Sequence, residues 1–250
     1  MKKKFALSFV ALASVALLAA CGEVKSGASN AAGNSVDEKT IKIGFNFEEM
    51  LLGIPGLIIA MTFHEYAHAR AAVSLGDFTP RLMGRLTLDP RAHIDPIGLI
   101  MLFLVRFGWA KPVMVNPSNF RQPKRDDILV SIAGPAMNLL LGFLAFYVML
   151  FIRSHHLDVS PITYSIIQMI FVYNVNFAIF NMLPIPPLDG SHILRNLLPP
   201  DLAYRYQSIE RYSLLIMIVF IATPLLSVVL MPLFQLVYGG YKIIGSILLF

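Results

Sequence analysis

Long apolar runs separated by short polar connections dominate the chain and predict its architecture. After an apolar stretch near the amino terminus, such runs cover residues 50–72, 96–110, 127–152, 162–183, 212–231 and 233–250. A helix needs about 20 predominantly apolar residues to cross a bilayer. We therefore predict an all-α multi-pass membrane protein with about five to six spans after a signal or anchor segment. The run at 96–110 is short and contains Arg106, so we expect a tilted or re-entrant segment there.

The composition supports a membrane protein. Hydrophobic residues make up 56% of the chain and charged residues 14%, against about 45–50% and about 25% in soluble domains. The net charge of +5 reflects basic residues in the connections between apolar runs, which is typical of cytoplasmic loops and not of a nucleic-acid-binding surface. We therefore expect a lipid bilayer and no nucleic acid as partner, with the carboxyl end of the run at 50–72 near the cytoplasmic face.

The amino-terminal 49 residues form a separate unit. Residues 1–21, "MKKKFALSFVALASVALLAAC", have the basic start, apolar centre and small residues of a signal peptide. The end "LAAC" resembles the lipobox of bacterial lipoproteins, which implies cleavage before Cys21 and its lipidation; an uncleaved anchor helix is the alternative. Residues 22–49 read as a flexible linker and a strand-like remnant, and the whole unit resembles the start of a branched-chain amino-acid-binding lipoprotein. We therefore expect the function to lie in a domain at 50–250.

The stretch "HEYAH" at residues 64–68 places ionisable groups inside an apolar run. In a helix, His64 and His68 lie one turn apart on the same face, so both imidazoles can bind one zinc ion. Glu65 is then placed to act as a general base toward a water molecule on the metal. The alternative is a polar helix end that has reached the membrane surface. Because ionisable groups are costly within a membrane, we interpret the stretch as a metal site.

A catalytic zinc site needs a third protein ligand, and Asp189 in "NMLPIPPLDG" is the candidate. Pro184, Pro186 and Pro187 precede it and prevent a regular helix. Irregular backbone at membrane depth is tolerated where it is buried in protein or lines a watery cavity, and hydrolysis needs such a cavity. The alternative for Asp189 is an N-cap of the following helix.

Three stretches in this order, "HEYAH", "SIAGPAMN" and "NMLPIPPLDG", resemble the site-2 protease family of intramembrane zinc metalloproteases, in its short bacterial subgroup. The resemblance implies a core of transmembrane helices around one zinc ion held by His64, His68 and Asp189, with Glu65 as the base. It also implies a bacterial cell membrane location and substrates that are membrane proteins, cleaved within their transmembrane segments in regulated intramembrane proteolysis. Oligomeric state is left open.

Two asparagines and one loop are further candidates for contact with the substrate. Asn138 and Asn181 each carry an amide that could donate to the substrate carbonyl, and hydrogen bonding between membrane helices is the equal alternative. The alternating "RLTLD" predicts a small β element at 81–95 that dips into the membrane. Such an edge could pair with an unwound substrate.

Two other functional classes remain open from the sequence. A metal transporter or zinc sensor could use the same two histidines and aspartate, and a catalytically silent scaffold could keep the motifs without activity. A transporter or sensor would tolerate Glu65→Gln, whereas a protease would not. The scaffold would contain no zinc.

Overall fold

The computed structural model describes residues 47–98 and 110–249 and is mostly helical there. The predicted signal peptide, Cys21, nearly all of the linker and most of the run at 96–110 lie outside these residues. The end of the strand-like remnant, residues 47–49, belongs to the first helix. The helices are α1 (Phe47–Ser74), α2 (Thr79–Leu82), α3 (Pro90–His93), α4 (Pro123–Ser154), α5 (Pro161–Asn181), α6 (Asp189–Leu197), α7 (Pro200–Ile209), α8 (Ser213–Ala222) and α9 (Leu225–Leu249).

The chain is a multi-pass membrane protein. Among the described residues, the three helices α4, α5 and α9 are long and apolar enough to span a bilayer. The predicted span at 212–231 is wrong in its bounds, since the chain breaks at Thr223–Pro224 between α8 and α9. Proline cannot donate a backbone hydrogen bond, which favours a helix boundary there. With 10 residues, α8 is too short to cross a bilayer.

Helices α1, α4 and α5 pack on one another and form the centre of the molecule. Small residues allow this close packing. A Cβ atom added to Gly56 of α1 would lie 2.9 Å from the backbone of Met169 in α5, and one added to Gly142 of α4 would lie 2.9 Å from Val175. Such contacts are typical of membrane helices, which associate through backbone proximity. Helix α9 covers the outer side of α4 and α5 through an apolar cluster that includes Tyr241.

The β element predicted at 81–95 is not formed. This segment contains the end of α2, a turn at Gly84 with a φ of 67°, an irregular stretch and the helical turn α3. Proline stands at the start of both helical turns, and the Asp89 side chain caps α3 by accepting from the Arg91 N–H at 3.0 Å. These local start signals outweigh the alternation. Only Ile94 makes a β-bridge among the described residues, and its partner is Ala110.

Candidate metal centre

Helix α1 brings two buried imidazoles together. His64 and His68 are one turn apart, and their Nε2 atoms lie 3.0 Å from each other. The rings meet edge to face, and the ring of Phe177 on α5 packs against His64 with a centroid distance of 5.1 Å. Both nitrogens therefore point toward one place between α1, α4 and α5.

Hydrogen bonds on the opposite side of each ring fix its orientation. His64 Nδ1 lies 2.6 Å from Asn138 Oδ1, and His68 Nδ1 lies 2.7 Å from the Val130 carbonyl oxygen. Both oxygens accept and cannot donate, so each Nδ1 carries the proton and donates it. Each Nε2 is left with a free lone pair. This arrangement, in which the outer nitrogen is held by an acceptor, is typical of histidines that bind metals.

Asp189 supplies the third atom of the group. It is the first residue of α6, and its Oδ2 lies 3.2 Å from His64 Nε2 and 3.3 Å from His68 Nε2. This Oδ2 is buried and has no hydrogen-bond partner. Three lone-pair atoms without a proton between them would repel one another, which favours a cation in their midst.

The group fits zinc by donor type and by spacing. Two imidazole nitrogens and one carboxylate oxygen are ligands that zinc prefers in catalytic sites, where a fourth position stays open. Tetrahedral ligands at about 2.0–2.1 Å from the ion lie about 3.3 Å apart. The three measured separations are 3.0, 3.2 and 3.3 Å. The Asp189 side chain keeps 21% of its surface exposed, although its Oδ2 is buried.

Glycine allows α4 to approach the two histidines. A Cβ atom added to Gly134 would lie 2.7 Å from the Cε1 atoms of both His64 and His68. Real Cβ atoms essentially never come so close to another heavy atom, so any side chain here would displace the rings. The "AGPAMN" turn of α4 therefore serves the site twice, through the absence of a side chain at Gly134 and through the amide of Asn138.

Polar contacts between α6 and α4 position Asp189. Asp127 of α4 accepts from Arg195 Nη2 at 3.0 Å and from Asn196 Nδ2, both on α6. At the start of α6, a Cβ atom added to Gly190 would lie 2.5 Å from the Leu183 carbonyl oxygen, so the turn before the helix is closed tightly. The proline-rich turn and these contacts hold the Asp189 carboxylate toward α1.

Glu65 lies beside the group without belonging to it. It is buried, with 4% of its surface exposed. Its Oε2 accepts a hydrogen bond from the Val113 N–H at 3.0 Å. A carboxylate held by a backbone donor next to a ligand set is a candidate for a general base.

The two asparagines take part in hydrogen bonds within the protein. Asn138 is fully buried; its amide donates to the Ala60 carbonyl and to Asn174 Oδ1, both at 2.9 Å, while its oxygen accepts from His64. Both of its amide hydrogens are therefore used, which favours the interhelical alternative over contact with a substrate. Asn181 is also buried and donates to the Phe177 carbonyl at 2.9 Å, one turn earlier in α5.

We expect Asn138→Ala to weaken zinc binding by about 10- to 100-fold, because His64 loses the acceptor that fixes its tautomer. Competition with a chromophoric chelator measures this affinity. Gln168→Ala, which removes an exposed amide from α5, is the control and should leave the affinity unchanged. Equal affinities for the two variants would show that Asn138 does not orient the ligand.

Comparisons with known proteins agree with the geometry. The profile of peptidase family M50 matches residues 154–224, a range that includes Asp189 but not the two histidines. The chain is also 38% identical over 181 residues to "Putative zinc metalloprotease YwhC" of Bacillus subtilis. The aligned region covers 71% of this chain and 83% of that protein. The chain belongs to peptidase family M50. This confirms the predicted site-2 protease family, a zinc metalloprotease class and zinc as the cofactor.

Two further relatives of lower identity also carry the name of a zinc metalloprotease. "Putative zinc metalloprotease Rip2" of Mycobacterium tuberculosis is 31% identical over 183 residues, or 70% of this chain and 68% of that protein. "Zinc metalloprotease MJ0392" of Methanocaldococcus jannaschii is 29% identical over 82 residues, which is 33% of this chain and 23% of that protein. No solved structure matches the chain.

Proposed function

We propose that the chain is an intramembrane zinc-dependent endopeptidase that cleaves the transmembrane segments of membrane proteins, in regulated intramembrane proteolysis. One observation carries the proposal. The two Nε2 lone pairs and the unpartnered Asp189 Oδ2 converge in a buried place, next to a buried glutamate. Helices α4 and α5, which are long enough to span a bilayer, pack against the two histidines, so the bond that is cut would come from a segment in the membrane.

The residues of the chain divide the work of hydrolysis. His64, His68 and Asp189 would hold the zinc ion, which supplies a Lewis acid for the scissile carbonyl and lowers the pKa of a bound water molecule. Glu65 accepts a proton from the attacking water and delivers it to the leaving amide nitrogen. The Val113 N–H holds the Glu65 carboxylate in place during both transfers. The substrate helix must unwind locally first, because a helix engages its own carbonyls.

We propose a bacterial cell membrane location with the site toward the cytoplasmic side. Exposed basic residues follow the histidines on α1 and in the next loop, namely Arg70, Arg81 and Arg91. Basic loops favour the cytoplasmic face. A lipidated Cys21 on the outer face would agree with this orientation.

The proposal is tested with purified protein and a single-pass test substrate in the same vesicles. We expect cleavage within the transmembrane segment, its loss after treatment with a zinc chelator, and its return on addition of zinc but not of magnesium, since imidazole ligands favour zinc. Cleavage that survives chelation would exclude the proposed mechanism. Transport of zinc across the vesicle membrane without any cleavage would favour the transporter alternative.

A further inference from the structure

A segment without regular secondary structure at residues 111–116, here called the strap, passes next to Glu65. Its middle donates from the Val113 N–H to Glu65 Oε2 at 3.0 Å. Its first residue, Lys111, donates its N–H to the His93 carbonyl at 2.8 Å. Its last residue, Asn116, donates its N–H to Asp77 Oδ2 at 2.7 Å. The strap is therefore held at both ends and carries in its middle the donor that binds Glu65.

Asp77 is an unusual anchor because it is fully buried. In addition to the Asn116 N–H, it accepts at Oδ1 from the Thr79 N–H at 3.1 Å, the Thr79 hydroxyl at 2.6 Å and Asn119 Nδ2 at 2.8 Å. A buried carboxylate is costly unless hydrogen bonds satisfy it. Burial alone would raise the pKa of Asp77, but these bonds hold that pKa below its ordinary value. The carboxylate therefore stays charged. Hydrogen bonds that a charged carboxylate accepts are stronger than those between neutral groups.

We propose that Asp77 is a positioning residue for the general base: by fixing the carboxyl end of the strap, it holds the Val113 N–H against Glu65. This inference rests on the proposed function, because Glu65 acts as the base only in a protease. A glutamate side chain has several rotatable bonds, and one backbone donor restricts them. Misplacement of a catalytic group by about 1 Å can cost about 100-fold in rate. The hydrogen bonds of Asp77 go to Thr79, Asn116 and Asn119 and not to the ligand group, so its effect should reach the base through the strap.

The expected signature is a slower reaction with an intact metal site. Asp77→Ala should raise hydrogen–deuterium exchange in the peptide covering residues 111–116 and lower kcat about 10- to 100-fold, with the zinc content unchanged. Val113→Pro removes the backbone donor and also fixes the φ of residue 113; it should lower kcat by a similar factor. Val113→Ala keeps the donor and measures how much of the effect comes from the loss of the valine side chain. Asp158→Ala, at an exposed aspartate after α4, is the control for Asp77.

A double-mutant cycle separates positioning from a general structural role. If both residues act on Glu65 through the same contact, Asp77→Ala combined with Val113→Pro should be no more than about 3-fold slower than either single variant. Independent structural damage would instead multiply the two effects. Asn119→Ala removes one donor to Asp77 and leaves the Asp77 carboxylate in place. It is a milder perturbation of the same anchor, for use if Asp77→Ala does not fold. It should show a smaller rise in exchange and a smaller fall in kcat.

Three results would overturn the inference: unchanged exchange in the strap, multiplicative effects in the cycle, or loss of zinc from Asp77→Ala. The exchange measurement needs no turnover, so it decides whether Asp77 holds the strap even if the proposed function fails. That failure has its own signature, a zinc-loaded wild-type protein that cleaves no faster than Glu65→Gln.

Discussion

We expect Glu65→Gln to abolish cleavage and to leave zinc bound. The amide has nearly the same shape as the carboxylate but cannot accept a proton from water, and it does not belong to the ligand group formed by His64, His68 and Asp189. General acid–base groups contribute about 10²- to 10⁴-fold to rate, so we expect kcat to fall by at least about 100-fold. The measurement is turnover of the reconstituted test substrate, with zinc content determined on the same samples.

The same substitution at Glu210 is the matched control. Glu210 is half-buried at the start of a 3-10 turn between α7 and α8, with its Oε1 3.4 Å from Arg195 Nη1. The amide of Glu210→Gln keeps an oxygen that can accept from Arg195, so this variant should cleave at close to the wild-type rate. A Glu65→Gln protein that contains zinc and still cleaves like the wild type would remove the general base from the mechanism. If neither Glu65→Gln nor Glu210→Gln cleaves the substrate and both contain zinc, a transporter or sensor becomes the better interpretation.

We expect Gly134→Ala to prevent zinc binding in a protein that otherwise folds. The added methyl group would meet the Cε1 atoms of His64 and His68 at 2.7 Å, so one ring or the α4 backbone must move by several tenths of an ångström. Zinc sites tolerate ligand shifts of only about 0.2 Å. We therefore expect zinc affinity to fall by more than about 100-fold, measured by chelator competition and by metal content after purification.

Gly239→Ala is the control for this substitution. Gly239 lies in α9, and a Cβ atom added there meets no heavy atom within 4 Å. It should retain zinc and gain slightly in helix stability. Circular dichroism and detergent size-exclusion profiles should match the wild type for both variants. Wild-type zinc affinity in a folded Gly134→Ala protein would mean that α4 does not approach the histidines as described.

The parts of the site that obey local rules could be predicted from the sequence. The spacing of His64 and His68 places both on one face of any helix, and three prolines before Asp189 indicate a broken backbone wherever the chain runs. The helical class follows in the same way from the length of the apolar runs. These features depend on neighbouring residues alone.

The parts that depend on contacts between distant segments could not be predicted. An asparagine amide can donate and accept, so only the approach of α1 and α5 shows that Asn138 orients His64. The Val130 carbonyl and the Val113 N–H are backbone groups, which a sequence pattern does not distinguish from any others.

The alternation at 85–89 predicts a strand, but a strand needs a paired neighbour. Among the described residues only Ile94 and Ala110 form a bridge. Pro224 lies inside the apolar run at 212–231, and it is the local signal for the break between α8 and α9.

The most direct measurement is zinc content together with X-ray absorption at the zinc edge, on the wild-type chain and on Asp189→Ala. The geometry of the site predicts one zinc ion per chain, with two imidazole nitrogens and oxygen ligands at about 2.0–2.2 Å, and a large loss of zinc from Asp189→Ala. A wild-type protein without zinc, or an Asp189→Ala protein with the same zinc content and the same spectrum, would contradict it.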